Sequence, residues 1–254
     1  LTDKSKGTAL VTGASARIGR AIAMDLASSG YRVAVHYRGS DEEAHQTVKD
    51  IQSAGGTATC FAADLGDELA VDGLMASVTN TFGPVTCLIN NASRFEDDDI
   101  TTMTRASWDA HLEPNLRAPL RLTQLMAENI GERQGNVINL IDQRVLKLTP
   151  QFLSYTLSKT ALWSLTQTLA QALAPAIRVN AIAPGPTLRN QRQSEEHFQK
   201  QVDATPLQRG ATLEEFTATV AWILATPSLT GQMIALDGGQ HLIWQTPDVT
   251  DVVE

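Results

Sequence analysis

Seven short apolar runs, separated by longer amphipathic stretches, set the strongest limit on how this 254-residue chain can fold. Residues 8–12, 32–36, 58–62, 86–90, 136–140, 178–182 and 232–236 are rich in Val, Ala, Ile and Leu and read as strands. Between them, 18–28, 42–54, 68–81, 105–129, 152–173 and 213–224 read as helices, with Thr212 and Glu215 at capping-box spacing before the last. Apolar strands alternating with helices demand a parallel sheet covered on both faces. No shift in composition and no repeat divides the chain, so residues 1–254 are expected to form one domain.

Composition removes several classes of function. A net charge of −8 argues against nucleic acid or an anionic membrane as the main partner. No apolar run approaches the roughly 20 residues of a membrane span. Leu1–Lys6 lacks a signal-like stretch, and a cytoplasmic protein is expected. Two cysteines, Cys60 and Cys87, cannot make a disulfide framework and sit on strand patterns as inert core thiols. The five histidines are scattered, and no metal site is expected. Glu96–Asp99 reads as a solvated acidic loop. Trp244 and the tail to Glu254 suit either local packing or a neighbouring subunit's pocket.

The first strand runs through Thr12, Gly13, Arg17, Ile18 and Gly19 into a helix. Such a turn offers backbone N–H groups and a positive helix end to a pyrophosphate. Three glycines are usual in a dinucleotide turn, and Arg17 stands at the middle one. The second strand ends His36-Tyr37-Arg38-Gly39-Ser40, with no carboxylate before Asp41. NAD sites place a carboxylate there for the ribose hydroxyl. Arg38 and Ser40 instead suit a 2′-phosphate, so NADP(H) is expected, although an exposed arginine can also be ordinary surface. His36 and Tyr37 are placed with this group, His36 either reading the phosphate or simply ending its strand. The fold expected is an α/β, doubly wound Rossmann-type fold: a seven-stranded parallel sheet with helices on both faces.

Tyr155 and Lys159 lie four apart, on one face of a helix. A phenol titrates near pH 10, about three units too high for neutral acid–base work. A neighbouring ammonium is expected to bring it down. With Thr12-Gly13…Gly19, Asp64-Leu65, Asn90-Asn91-Ala92, Asn115 and Pro184-Gly185 in order, residues 7–240 closely resemble the short-chain dehydrogenase/reductase family. Three departures mark a branch. Asp142 stands where the family has serine, 13 positions before the tyrosine; Ser93-Arg94-Phe95 follows Asn-Asn-Ala in place of glycine; and Arg17 replaces a glycine. Together they resemble the pteridine reductases.

That resemblance implies NADPH as cofactor, a pterin-type substrate and a homotetramer. It implies that Tyr155, Asp142, Lys159 and Asn115 are catalytic. Gly13, Arg17, Ile18, Gly19, His36, Tyr37, Arg38, Ser40, Asp64, Leu65, Asn91, Ala92, Ser93, Tyr155, Lys159, Pro184 and Gly185 would bind cofactor. Arg17, Ser93, Phe95, Asp142, Tyr155 and Leu188 would bind substrate, Phe95 by stacking on its ring. Asp142 also suits a turn cap, and Phe95 a loop anchor.

Reducing a C=N bond needs a hydride on carbon and a proton on nitrogen, which Asp142 beside Tyr155 can relay if burial raises its pKa. A carboxylate is a poor partner for a carbonyl oxygen gaining negative charge. Pro119 has no N–H, which leaves the Asn115 carbonyl without its helical donor; the family resemblance implies that this carbonyl binds a water leading to Lys159. The polar segment 186–204 is either a substrate lid or a surface excursion. Two rivals stand beside the pterin reading: a carbonyl reductase of the same fold, acting on a 3-oxoacyl thioester or sugar ketone, and a non-catalytic NADPH-sensing regulator.

Overall fold

The computed structural model describes residues 5–189 and 193–246. The seven runs are strands: β1 (Thr8–Val11), β2 (Arg32–Tyr37), β3 (Thr57–Ala62), β4 (Val85–Asn90), β5 (Gly135–Leu140), β6 (Ile177–Pro184) and β7 (Met233–Leu236). They form one sheet in the order β3-β2-β1-β4-β5-β6-β7, every neighbouring pair parallel. The helices are α1 (Arg17–Ser28), α2 (Asp41–Ser53), α3 (Glu68–Phe82), α4 (Arg105–Leu112), α5 (Ala118–Asn129), α6 (Leu153–Leu173), α7 (Glu195–Asp203) and α8 (Leu213–Ala225).

Side chains alternate across the sheet and feed a larger core on each face, with a smaller cluster around Ile141, Leu162 and Ala181. Ala9 and Val11 of β1 pack with Ile22 and Leu26 of α1 and Phe216 and Val220 of α8. Leu10, between them, joins Leu74 and Val78 of α3 and Leu122 and Met126 of α5 on the other face. The Rossmann-type expectation is therefore met. The chain steps outward from β1 to β2 and β3, then returns to β4 on the other side of β1. The connections leave the two strands in opposite directions, which opens a crevice at their C-terminal ends.

Four details differ from the sequence reading. The expected 105–129 helix is α4, a π-turn at Glu113–Arg117 and α5, because Pro114 and Pro119 interrupt the regular ladder. The polar 186–204 segment contains α7, capped by Ser194, which accepts the His197 N–H. Its signals were Ser194 itself, Glu195 and Glu196 in the first turn and Lys200 in the last. The acidic run is not merely solvated: Asp98 is buried, and the Asp99 carboxylate closes a turn onto Thr101 and Thr102. Cys87 is a core thiol as expected, whereas Cys60 is half-buried with its sulfur 3.4 Å from His45 Nε2. The tail beyond residue 246 lies outside the described residues, and Trp244 is largely exposed.

A buried polar relay ties the centre of the sheet to α6. Asn90 Nδ2 donates to Asn139 Oδ1 at 2.8 Å, and Asn139 Nδ2 donates to Thr166 Oγ1 at 2.9 Å. Thr166→Val keeps the shape but leaves the Asn139 amide unpaired in the core. It should cost about 2 kcal/mol, read as a fall of roughly 4–8 °C in Tm, with Thr166→Ser close to wild type.

Candidate active site

The turn after β1 is held open from β4. Thr12 Oγ1 accepts the N–H groups of Asn91 and Ala92, each at 2.9 Å, and Asn91 Nδ2 donates to the carbonyls of Thr12 and Gly13 at 2.9 and 3.1 Å. A Cβ on Gly19 would meet the Gly13 oxygen at 2.3 Å and Asn91 Nδ2 at 2.5 Å, so only glycine lets α1 approach this closely. Arg17, at the missing glycine, takes a glycine-like φ of 55°. That conformation costs an L-residue roughly 1–2 kcal/mol. The N-cap of α1 supplies no side-chain cap and its first turn holds no acid. The positive helix end therefore remains available to an anion.

A cavity of about 690 Å³ runs along this turn, lined by Gly13, Arg17, Ile18, Gly19, Tyr37, Arg38, Ser40, Asp64, Leu65, Asn91, Ala92 and Ser93. Arg38 is exposed and makes no ion pair among the described residues. The Ser40 hydroxyl is not used as a cap for α2. A free cation and a free hydroxyl at the end of β2 fit a phosphorylated ribose. His36 has a different part. Its Nδ1 accepts the Gly13 N–H at 3.1 Å, so Nε2 donates to the Ala63 carbonyl at 3.1 Å, and burial pushes its pKa down to about 4. The ring braces the turn as neutral imidazole and brings no charge to a phosphate. The Tyr37 hydroxyl is likewise committed, donating to Asp41 at 2.6 Å.

The catalytic set meets at the C-terminal ends of β4, β5 and β6. The Tyr155 hydroxyl donates to Asp142 Oδ2 at 2.8 Å, and Asp142 Oδ1 accepts the Arg144 N–H at 2.8 Å. Asp142 is thus both a turn cap and the partner of the tyrosine. Burial raises the Asp142 carboxyl, against the pull of its two donors. Burial, then the charge and hydrogen bond of Asp142, push the Tyr155 phenol well up. The expected lowering of the phenol by Lys159 is therefore not found. Lys159 Nζ lies 5.8 Å from the tyrosine ring centroid and donates instead to the Leu140 carbonyl at 2.8 Å. Burial lowers Lys159 itself to about 8. Tyr155 enters the site as a firmly protonated donor.

Asn115 lies in the π-turn, fully buried. Its side chain accepts the Arg94 N–H at 2.8 Å and donates to the Arg94 carbonyl and the Ser158 hydroxyl at 2.9 and 3.0 Å. This pins the Ser93–Phe95 loop to α6. Pro184 and Gly185, at the end of β6, line a smaller cavity of about 290 Å³ with Arg17, Ser93, Phe95, Asp142, Tyr155, Lys159 and Leu188. It joins the cavity along the turn to a third of about 530 Å³.

That third cavity contains residues the sequence reading missed. Phe95 stacks on Phe152 with centroids 4.5 Å apart and planes at 10°, and meets the Tyr155 ring edge-on at 4.7 Å. The Arg144 guanidinium sits 4.7 Å over the Phe152 centroid. His197, Phe198 and Gln201 of α7 complete the wall. The spacing of Phe152 and Tyr155 gave no usable signal, because Phe152 stands at the N-cap outside α6, at φ 57°. Contact with α7 was not visible, because it depends on how the polar segment folds back. The Arg17 guanidinium donates to the carbonyls of Leu188 and Arg189 at 2.8 and 2.9 Å and holds the start of that segment over the site.

A family profile described as enoyl-(acyl carrier protein) reductase matches residues 13–241. The 3-oxoacyl-[acyl-carrier-protein] reductase FabG of Staphylococcus aureus is 32% identical over 245 residues, which cover 94% of this chain and 100% of that one. The structure of FolM alternative dihydrofolate reductase 1 from Brucella suis, in complex with NADP, superposes with a TM-score of 0.93 at 50% identity, covering 96% of this chain and 99% of that one. Its counterpart from Brucella canis, also complexed with NADP, gives 0.94 at 49% identity, covering 98% and 99%. The chain belongs to the short-chain dehydrogenase/reductase family, a family of oxidoreductases.

The depressed Lys159 has a consequence for stability. Above pH 8 or so the folded protein holds this amine neutral, while the unfolded chain keeps its proton up to the ordinary value of 10.5. Unfolding then takes up a proton, and stability rises with pH across that window. Urea unfolding of wild type and Lys159→Met should show the wild type gaining on the variant between pH 8 and pH 10. A constant difference would refute the assignment.

Proposed function

We propose that this chain is an NADPH-dependent reductase of a pterin-type ring, a dihydropteridine, dihydromonapterin or dihydrofolate-like compound. The observation that carries the reading is the carboxylate of Asp142, rather than a hydroxyl, bonded to the Tyr155 phenol beside the Phe95 ring. The likeness to the two Brucella FolM proteins, named as alternative dihydrofolate reductases, supports it. When bound, NADPH supplies the hydride. Gly13, Ile18, Gly19 and Arg17 would hold its pyrophosphate, Arg38 and Ser40 its 2′-phosphate, and Asp64 and Leu65 its adenine. Asn91, Ala92, Ser93, Lys159, Pro184 and Gly185 would hold its nicotinamide half.

Phe95 would stack on the substrate ring, with Arg17, Ser93 and Leu188 around it and segment 186–204 closing over it as a lid. Tyr155 would give its hydroxyl proton to the ring nitrogen, and Asp142, in the neutral form that burial favours, would return its carboxyl proton to the phenolate and become the carboxylate. Lys159 stabilises the negative charge left on the pair, and Asn115 holds the water path to solvent. The family resemblance also carries a homotetramer, for which edge strand β7 and the half-exposed Trp222 of α8 offer faces.

The FabG relative supports a second reading, reduction of a 3-oxoacyl thioester. Oxidation of NADPH with dihydrobiopterin, dihydromonapterin and dihydrofolate, set against an acetoacetyl thioester, separates the two. Turnover of a dihydropterin is expected, with Asp142→Ser reducing it roughly 100-fold. Thioester turnover alone would sink the pterin assignment. No turnover of any substrate would favour the regulator.

The cofactor assignment has its own test. Arg38→Ala removes a charge-assisted contact and should weaken NADPH binding by about 10- to 100-fold. Binding of NADH should stay within about twofold. Equal losses for both would show that Arg38 does not read the 2′-phosphate.

A further inference from the structure

Helix α6 starts without help from its own N-cap. Phe152 stands there at φ 57° and offers no side-chain cap. The first donors of the helix are satisfied from a loop more than fifty residues earlier. The Leu153 N–H donates to the Asp98 carbonyl at 3.0 Å, and the Ser154 N–H donates to Asp98 Oδ1 at 3.0 Å. The Ser154 hydroxyl bonds the other oxygen, Oδ2. That hydroxyl also lies 2.7 Å from His111 Nδ1, and His111 Nε2 accepts the Glu96 N–H at 3.1 Å.

The hydrogens can be placed by elimination. A backbone N–H only donates, so His111 Nε2 is an acceptor and Nδ1 carries the ring hydrogen. Nδ1 then faces the Ser107 carbonyl at 3.0 Å and the Ser154 oxygen, and the hydroxyl passes its own hydrogen to Asp98. Every donor has an acceptor. Asp98, His111 and Ser154 are 5%, 1% and 0% exposed, and none of them lines the cavities of the site. A serine that donates to the carboxylate, out of reach of any substrate, is not a nucleophile. Its neighbours are what matter. Glu96 follows Phe95, Ser154 precedes Tyr155, and Asn115 clamps Arg94 on the other side of Phe95.

We propose that Asp98, His111 and Ser154 are positioning residues, a buried node that fixes the Phe95 ring against the Tyr155 hydroxyl. The node sets the spacing between substrate ring and proton donor. This rests on the reading that Phe95 and Tyr155 face the substrate. A second proton on His111 would set an N–H at Nε2 against the Glu96 N–H, two donors with no acceptor, and the loop would have to leave. Asp98 and Glu96 of the loop favour that proton, Arg94 opposes it, and the Tyr155 ring of α6 stands edge-on at 6.1 Å. Burial is the largest influence and holds His111 below its ordinary value, so the node is intact at neutral pH and opens in acid.

His111→Gln tests this, because the amide can accept the Glu96 N–H and donate onward but does not titrate. As the pH falls below the ordinary histidine range, the wild-type KM for a dihydropterin should rise. The variant KM should stay flat, and the Kd for NADPH, followed by its fluorescence, should be the same in both. Nitrogen-15 spectra of labelled histidine should show His111 as the neutral Nδ1–H tautomer at pH 7. Ser154→Ala should raise KM about tenfold at neutral pH without weakening NADPH, and Ser154→Thr should restore it. An identical acid rise in His111→Gln, an Nε2–H tautomer, or a loss in Ser154→Ala shared equally by NADPH and substrate would overturn the node. Absence of wild-type turnover of any pterin would instead overturn the substrate reading. The tautomer would still report on the node, and KM would then be measured on whichever substrate the wild type accepts.

Discussion

The parting of β1 and β4 is the constraint on which the rest of the molecule depends. Both strands are buried, adjacent and parallel, yet the chain leaves their C-terminal ends in opposite directions. Backbone groups at that split cannot pair with each other, and Thr12 and Asn91 satisfy them. The hydroxyl and amide therefore hold open the crevice in which every group of the site is assembled. His36 does the same from the β2 side by accepting the Gly13 N–H. Residues that resemble ligand contacts in a motif are here part of the frame, and a frame this tightly bonded can place a phosphate without moving.

The layered fold was legible because it rests on periodicity, which is local. Strands buried on both faces must be apolar throughout, and helices packed on such a sheet must carry one apolar stripe. Arg105 to Asn129 shows where that logic ends. Its apolar pattern is continuous, but Pro114 and Pro119 remove two donors and force the π-turn that seats Asn115. Helix α7 was illegible for the opposite reason. Its apolar stripe is only Phe198 and Val202, too short to register as a period, and its helical signals are the charges and cap at its ends.

The site divides in the same way. Tyr155, Lys159 and the glycines were readable by their spacing, and Asp142 as a departure from the family the chain resembles. Phe152, Arg144 and the Asp98–His111–Ser154 node were not. Their partners lie on other elements, and a solvated acid and a remote helix cap look alike in a string of letters. Asp98 belongs to a run of acids, and only its burial distinguishes it from Asp97 beside it. Lys159 lies beside Tyr155 on α6, as the spacing implied, but it does not lower the phenol. Burial, absent from a one-dimensional reading, outweighs the pull of an ammonium 5.8 Å from the ring.

Burial explains why aspartate in place of serine changes more than a hydrogen-bond donor. Desolvation pushes Asp142, Tyr155 and Lys159 each towards its uncharged form, the acids upward and the amine downward. The attraction between Asp142 and Lys159 opposes that push, favouring the carboxylate–ammonium pair. Moving one proton between the two converts an ion pair into a neutral pair without changing the net charge of the site. Desolvation favours one arrangement and Coulomb attraction the other. A serine cannot take part, since its hydroxyl neither holds a charge at neutral pH nor is matched to the amine. Hydride addition to a C=N or a C=O bond leaves one proton to be delivered to the heteroatom, and a carboxyl group bonded to the phenol gives the site a second group that can hold that proton.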